Sequence, residues 1–284
     1  MSDIDVMTLF LGPQTRLALT LNALVRGHRM ALAGAGLNAR PGRMATPHLR
    51  RNLDRDTSPS DRQARFREAV GEGPMFLSAV NFLGPTALGF HRREMFPETE
   101  TLLAELPVLA AGARLVLSLD TLPAFFLAAG SEPLEERVRS AGWEPLYELS
   151  WADLVEEIAV AMPGSDILVL TPRGAAVRSP EVLARLFGDA ASVLPAAWHL
   201  LEAAISETGR AVLAQRLAEV GQDDAALTEL FDTFAERAAP DDLTARLGID
   251  RVTGILLEQR FAEDLDRIRA MPRVEVICWP SFTA

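Results

Sequence analysis

The sequence contains no lysine; all 28 of its Lys-plus-Arg positions are arginine, set against 39 Asp and Glu. A site that needs a compact ammonium therefore cannot be built, and a guanidinium is not its equivalent. Cysteine is reduced to Cys278, which excludes an internal disulfide framework and suits a reducing compartment. Four scattered histidines beside that one thiol give no metal-ligand spacing, so no metal site is expected. No uninterrupted apolar run is long enough for a membrane span. The most apolar region, residues 102–129, is broken by Glu105, Arg114 and Asp120. The opening Met1-Ser2-Asp3-Ile4-Asp5 is acidic and lacks the charged-then-apolar order of a secretory signal. These absences together lead to the expectation of a cytoplasmic protein. There is no Gly-x-Ser-x-Gly elbow, no Cys-x-x-Cys, no paired-carboxylate spacing, no internal repeat and no low-complexity linker.

What the chain does have is 49% apolar residues over 284 positions, ample for a sizeable core. Its net charge of −11 is unevenly spread. Residues 1–93 carry thirteen Arg against seven carboxylates, a balance of +6, and the remainder stands at −17. Two explanations fit. The arginines either form a solvated face in an arginine-rich composition, or the basic third faces an anion while the acidic remainder keeps the protein soluble. Nucleic acid is not expected as a partner, because aromatics are not interleaved with the arginines and the whole chain is acidic.

The periodicity alternates between strand and helix. Met7–Leu11 reads as a short buried strand, followed by Gly12-Pro13-Gln14-Thr15-Arg16 as a tight turn opening a helix. Helical spacing covers 16–26 and again 28–35; residues 38–59 are irregular and rich in Pro and Arg; 61–70 is a polar helix capped by Ser60 or Asp61. Further strands are expected at 75–80, 114–119, 166–170 and 274–277. Between them lie helices at 98–111, 122–129, 151–161 (capped by Ser150) and 180–187. Residues 196–270 are almost wholly helical, with breaks near Gly221, Pro240 and Gly248. The expected architecture is a three-layer αβα domain spanning 1–284. It has a parallel sheet of about five strands, a helical C-terminal half, and a helical insertion at about 190–270 before the last strand. The apolar stripes at Leu213, Leu217 and Val220 and at Ile255, Leu256 and Phe261 are expected to be core.

The Gly12–Arg16 turn is the candidate site. Gly12, Gln14, Thr15 and Arg16 can present backbone N–H groups and side-chain donors at a helix N-terminus, where anions bind. The same residues equally make a plain strand-to-helix turn, and Pro13 withdraws one donor. His48, Arg50, Arg51 and Arg55, or His91-Arg92-Arg93, could receive an anionic acceptor. His91 stands near the C-terminal edge of a strand, where open α/β sheets bind ligands. His199, beside Trp198 in a helical apolar stretch, reads as structural.

Several of these segments together resemble the bacterial sulfotransferase-like proteins of the P-loop superfamily. Phe10-Leu11-Gly12, followed by a helix with Leu21-Asn22, is similar to that family's His-Ile-Gly-x-x-Lys-Thr-x-Thr-Thr-x-Leu-Gln opening. Ser78-Ala79-Val80-Asn81-Phe82-Leu83-Gly84 is similar to Ser-Glu-Glu-Asn-Phe-Leu-Gly. The segment 115–129, with Phe125-Phe126, resembles the strand and helix that carry the family's Arg and Ser. Ser150-Trp151-Ala152-Asp153-Leu154 and the 261–268 segment before the last strand complete the likeness. The resemblance implies a fold that binds 3′-phosphoadenosine 5′-phosphosulfate (PAPS) and passes its sulfuryl group to a hydroxyl of a carbohydrate or small molecule. It also implies where the residues with chemical duties should stand, and this chain departs from the pattern at each. Thr15 takes the place of the P-loop Lys, and Ala79-Val80 that of the Glu-Glu pair. Asp120 takes the place of the Arg that holds the 3′-phosphate, and Ala128 that of the Ser. A carboxylate at Asp120 would repel a phosphate. The expectation is a catalytically degenerate member, acting as a binding or scaffold protein. The alternatives are an active PAPS-dependent enzyme using Arg16 and His91, and a binder of another anionic small molecule or saccharide at the turn. Asp120 is expected beside the site.

Overall fold

Short apolar runs rich in Leu, Val, Ile and Phe, each bounded by turn residues, pair into one sheet. The computed structural model describes residues 7–53, 56–83, 96, 98–130, 132–142, 144–194, 196–219, 223–235 and 240–277. In it the strands β1 (Met7–Gly12), β2 (Asn38–Arg40), β3 (Met75–Ser78), β4 (Arg114–Ser118), β5 (Ile167–Leu170) and β6 (Val274–Ile277) lie in the order β2-β3-β1-β4-β5-β6. Every pairing is parallel. The side-chain period of two divides the strands between two apolar layers. Leu9, Leu11, Leu77, Leu115, Leu117 and Val169 enter one, and Phe10, Phe76, Val116, Leu168 and Leu170 the other. Burial on both faces is why these strands read as continuous apolar runs instead of alternating ones.

The sheet has six strands instead of the five expected, because residues 38–59 are not irregular throughout. They hold the edge strand β2 and the helix α2 (Gly42–Arg51), ahead of α3 (Pro59–Val70). A three-residue strand with half-buried Asn38 and Arg40 at its ends carries no apolar run to announce it. Pro47 inside α2 argues against a helix that forms nonetheless. The two expected helical stretches at 16–26 and 28–35 form one helix, α1 (Arg16–Gly34), which runs through Gly27. Its buried face (Leu17, Leu21, Leu24, Val25, Leu32) outweighs the modest cost of an internal glycine. The cap of α3 is Ser58, one residue before Pro59, and not Ser60 or Asp61.

Between β3 and β5 run α4 (Thr99–Ala110), α5 (Leu122–Ala129), α6 (Glu132–Ala141), α7 (Glu144–Tyr147) and α8 (Trp151–Ala161). With α2 and α3 they cover the first apolar layer. After β5 come α9 (Pro172–Val177), α10 (Ser179–Phe187), a 3₁₀ turn at Gly188–Val193, α11 (His199–Ala204), α12 (Glu207–Glu219) and α13 (Asp224–Phe234). The last two helices are α14 (Pro240–Leu247) and α15 (Arg251–Arg269).

The late helical stretch does not pack as one body. Residues from α9 and α11–α13 form their own small core around Val177, Leu201, Ile205, Leu213, Leu227 and Phe231. Leu247 of α14 and Leu257 and Ile268 of α15 join the first layer instead. Leu213 is buried and Leu217 partly so, as expected. Ile255 and Leu256 are not core: they are 47% and 37% exposed, because α15 turns Thr253, Leu257, Asp264, Leu265 and Ile268 inward. Val220 lies outside the described residues. No helix among the described residues is long and apolar enough to cross a membrane.

Candidate functional site

The connection leaving β1 heads toward β2, and the one leaving β4 heads toward β5 on the opposite side. The C-terminal ends of β1 and β4 therefore flank the point where the winding reverses, the usual place for a ligand in an open parallel sheet. Both ends bear residues that the sequence singled out.

The turn after β1 is tightly determined. Gly12 has φ +90°, and a Cβ there would stand 3.4 Å from Asn81 N and 3.5 Å from Val80 Cα. The positive φ would strain any side chain at this position, while its Cβ would only make ordinary contact with the exit of β3. Thr15 caps α1: its hydroxyl accepts from the Ala18 N–H at 3.2 Å and shares a 2.5 Å hydrogen bond with the Ser118 hydroxyl at the end of β4. The Thr15 N–H donates to the Pro13 carbonyl at 2.8 Å. Thr15 and Ser118 are both fully buried. The hydroxyl and backbone donor that Thr15 could have offered an anion are thus committed within the fold. Gln14 is half-buried, and Arg16 is exposed on the first turn of α1, where its carbonyl accepts the Thr20 hydroxyl at 3.1 Å.

A second set of bonds ties α1, α2 and the exit of β3 together. Asn22 Oδ1 accepts from the Ser78 hydroxyl at 3.1 Å and from the Gly42 N–H at 2.7 Å. Arg50 donates to the carbonyls of Phe82 at 3.0 Å and Asn81 at 3.4 Å and lies 3.5 Å from Glu98. Arg62 pairs with Glu105 at 2.7 Å in a largely buried bridge between α3 and α4. Some of the arginine excess in the first third therefore holds loops and helices in place. Arg55 and His91-Arg92-Arg93 lie outside the described residues, so the sequence's histidine candidate is not placed. His199 is half-buried, and burial first of all holds its imidazole below the ordinary range. Among the described residues, no group of three His, Cys, Asp or Glu side chains could hold a metal ion.

At the end of β4 the structure adds a group whose chemistry the sequence did not convey. Asp120 follows Ser118 by two residues, just past the C-terminal end of β4, and is half-buried. Its carbonyl accepts the Trp151 indole N–H at 2.7 Å, and its Oδ1 accepts the Thr121 N–H at 2.8 Å. The other carboxyl oxygen has no protein partner among the described residues. The Trp151 and Phe125 rings meet edge-to-face nearby, with centroids 5.2 Å apart. Burial pushes the carboxyl up to about 7, and the Thr121 N–H pulls only weakly the other way. A carboxyl that burial holds toward its neutral form, just past a strand end in an open α/β sheet, is a candidate functional group. The signal is present in the sequence as a lone carboxylate between an apolar strand and an apolar helix.

These residues do not fit the phosphates of PAPS. Thr15 is sealed against Ser118, Ala79 and Val80 are buried and apolar, and the β4 end offers a desolvated acid where a cation is needed. Fold and site together define an α/β protein with an all-parallel six-stranded sheet whose switch point carries a closed turn and one acid. No family model, curated protein or solved structure significantly matches the chain.

Proposed function

We propose that this chain is a sulfotransferase-like α/β protein that has no sulfuryl-transfer chemistry and acts as a binding or scaffold protein. The observation that carries this reading is the buried Thr15–Ser118 bond. It closes the turn that would otherwise receive the donor's phosphate, in a chain with no lysine to replace the missing cation. A glycine turn after the central strand β1, at the switch point of a parallel sheet, supports the fold half of the proposal. Isothermal calorimetry with adenosine 3′,5′-bisphosphate tests the other half. No heat is expected at ligand concentrations of about 1 mM, equivalent to affinity weaker than about −4 kcal/mol. Micromolar binding that disappears in Arg16→Ala would overturn the reading and favour the enzyme that uses Arg16.

Asp120 favours a second reading of the same crevice. A desolvated carboxyl with one unpartnered oxygen accepts hydrogen bonds from a ligand's hydroxyl or ammonium group. Under this reading the ligand is a donor, such as a polyol or an amine, and not an anion.

A further inference from the structure

The N-terminal edge of the sheet, opposite the turn, holds a cleft of about 460 Å³ where β4, β5 and β6 begin. Three guanidinium groups line it: Arg114 from the first position of β4, Arg185 from α10, and Arg273 just before β6. Two of them are neutralised. Arg185 pairs with Glu275 and, at 3.0 Å, with Glu181. Arg273 pairs with Asp166 at 3.1 Å and donates to the carbonyls of Pro163 and Gly164 at 3.0 and 2.8 Å.

Arg114 differs from both. Its one hydrogen bond, 3.1 Å long, goes to the Arg185 carbonyl, and it has no carboxylate partner among the described residues. That carbonyl takes one NH1 donor, so the NH2 and Nε side of the fork is left for an oxyanion. The apolar surface beside it comes from the partly buried Val274 at the start of β6, since Ile167 and Leu168 are only 3% and 4% exposed. The volume exceeds what a bare phosphate fills and falls in the range of small-molecule sites.

We propose that this cleft binds a small phosphomonoester with an apolar body, whose phosphate engages Arg114 while the body lies against Val274. The proposal is independent of any role for the Gly12–Arg16 turn, which lies at the other end of the strands. Asp166, Glu181 and Glu275 are the carboxylates that limit affinity, because they hold two of the three cations.

Phenyl phosphate, inorganic phosphate and phenol are the probes, titrated by ligand-observed NMR and calorimetry against the full chain. Phenyl phosphate is expected to bind at least several-fold more tightly than inorganic phosphate, and phenol not at all. Arg114→Gln should weaken phenyl phosphate roughly tenfold or more, the size of a lost charge-assisted bond. Glu275→Gln should tighten it by removing one of the two carboxylates that hold Arg185, a change opposite in sign that a misfolded variant would not produce. Arg16→Ala should leave it unchanged. The proposal is overturned by no phenyl phosphate binding at about 10 mM, a concentration that would detect even a contact worth about −3 kcal/mol. It is equally overturned by affinity that survives Arg114→Gln or that disappears in Arg16→Ala.

Discussion

Asp120→Asn is expected to stabilise the protein at pH 8 and to leave it unchanged at pH 4. The ordinary aspartate value is 3.8, and burial raises it to about 7 in the folded chain. Well below pH 3.8 both folded and unfolded forms carry the proton and the group costs nothing. As pH rises toward 7, the unfolded chain ionises while the folded one retains its proton, so folding takes up a proton and stability falls. Above pH 7 the cost stops growing. A gap of about three pH units, at about 1.4 kcal/mol each, sets a ceiling of about 4 kcal/mol for the loss. That is a large share of the 5–15 kcal/mol typical of a folded domain. Urea unfolding of the natural protein and the Asn variant at pH 4, 6 and 8 measures it, and the other carboxylates cancel in the comparison. A difference that does not change with pH would show that the carboxyl is solvated. A group that lowers stability just past a strand's C-terminal end, where open α/β sheets bind ligands, is a natural target for a binding test. The same variant in a binding screen of polyols and amines therefore bears on the second reading of the crevice.

The second large effect is expected at Asp264, which is 1% exposed. One of its oxygens accepts the Ser150 hydroxyl at 2.8 Å and the other the Trp151 N–H at 2.7 Å, so a side chain of α15 caps the N-terminus of α8. Arg267 and Arg260 lie 3.8 and 3.9 Å away and balance its charge. Asp264→Ala would orphan a buried backbone N–H, remove a partner of the buried Ser150 hydroxyl and leave two guanidinium groups without this counter-charge. The loss should be about 3–5 kcal/mol, the range for breaking a buried pair by removing one partner. Asp264→Asn, which keeps the acceptor oxygen, should lose less. Chemical denaturation followed by tryptophan fluorescence reads both, since Trp151 sits at the junction. A loss under about 1 kcal/mol for the Ala variant would mean that the cap is redundant with the Ser150–Asp153 cap, in which Ser150 Oγ accepts the Asp153 N–H at 3.2 Å.

Much of the architecture is legible because local pattern and tertiary environment agree. Met7–Leu11, Arg114–Ser118 and Ile167–Leu170 are apolar on both faces, and both faces are buried. β2 is not legible, since three residues on a sheet edge are recruited by the register of β3 and not by their own composition. The inward face of α15 escapes the pattern for a related reason. Both Leu257 and its neighbours Ile255 and Leu256 are apolar, and only the packing against α8 and β6 decides which turn inward. The candidate site is legible in position and not in state. Gly12, Thr15 and Asp120 all stand out in the sequence, yet nothing local says that Thr15 bonds a serine 103 positions away or that Asp120 is desolvated. The Ser150-Trp151 and Asp264 segments, more than 110 positions apart, bond directly to each other, and neither announces that contact in its own composition.

The Thr15–Ser118 contact also acts as a latch. It fastens the helix that leaves one central strand to the end of the next, so a guest entering between them has to separate a pair of buried hydroxyls first. If opening costs about 1.4–2.8 kcal/mol, any ligand that enters between these strand ends carries a handicap of roughly ten- to a hundredfold in affinity before its own contacts count. Weak ligands would then be refused whatever their charge, and only a guest with its own donor and acceptor for the separated hydroxyls could hold the crevice open.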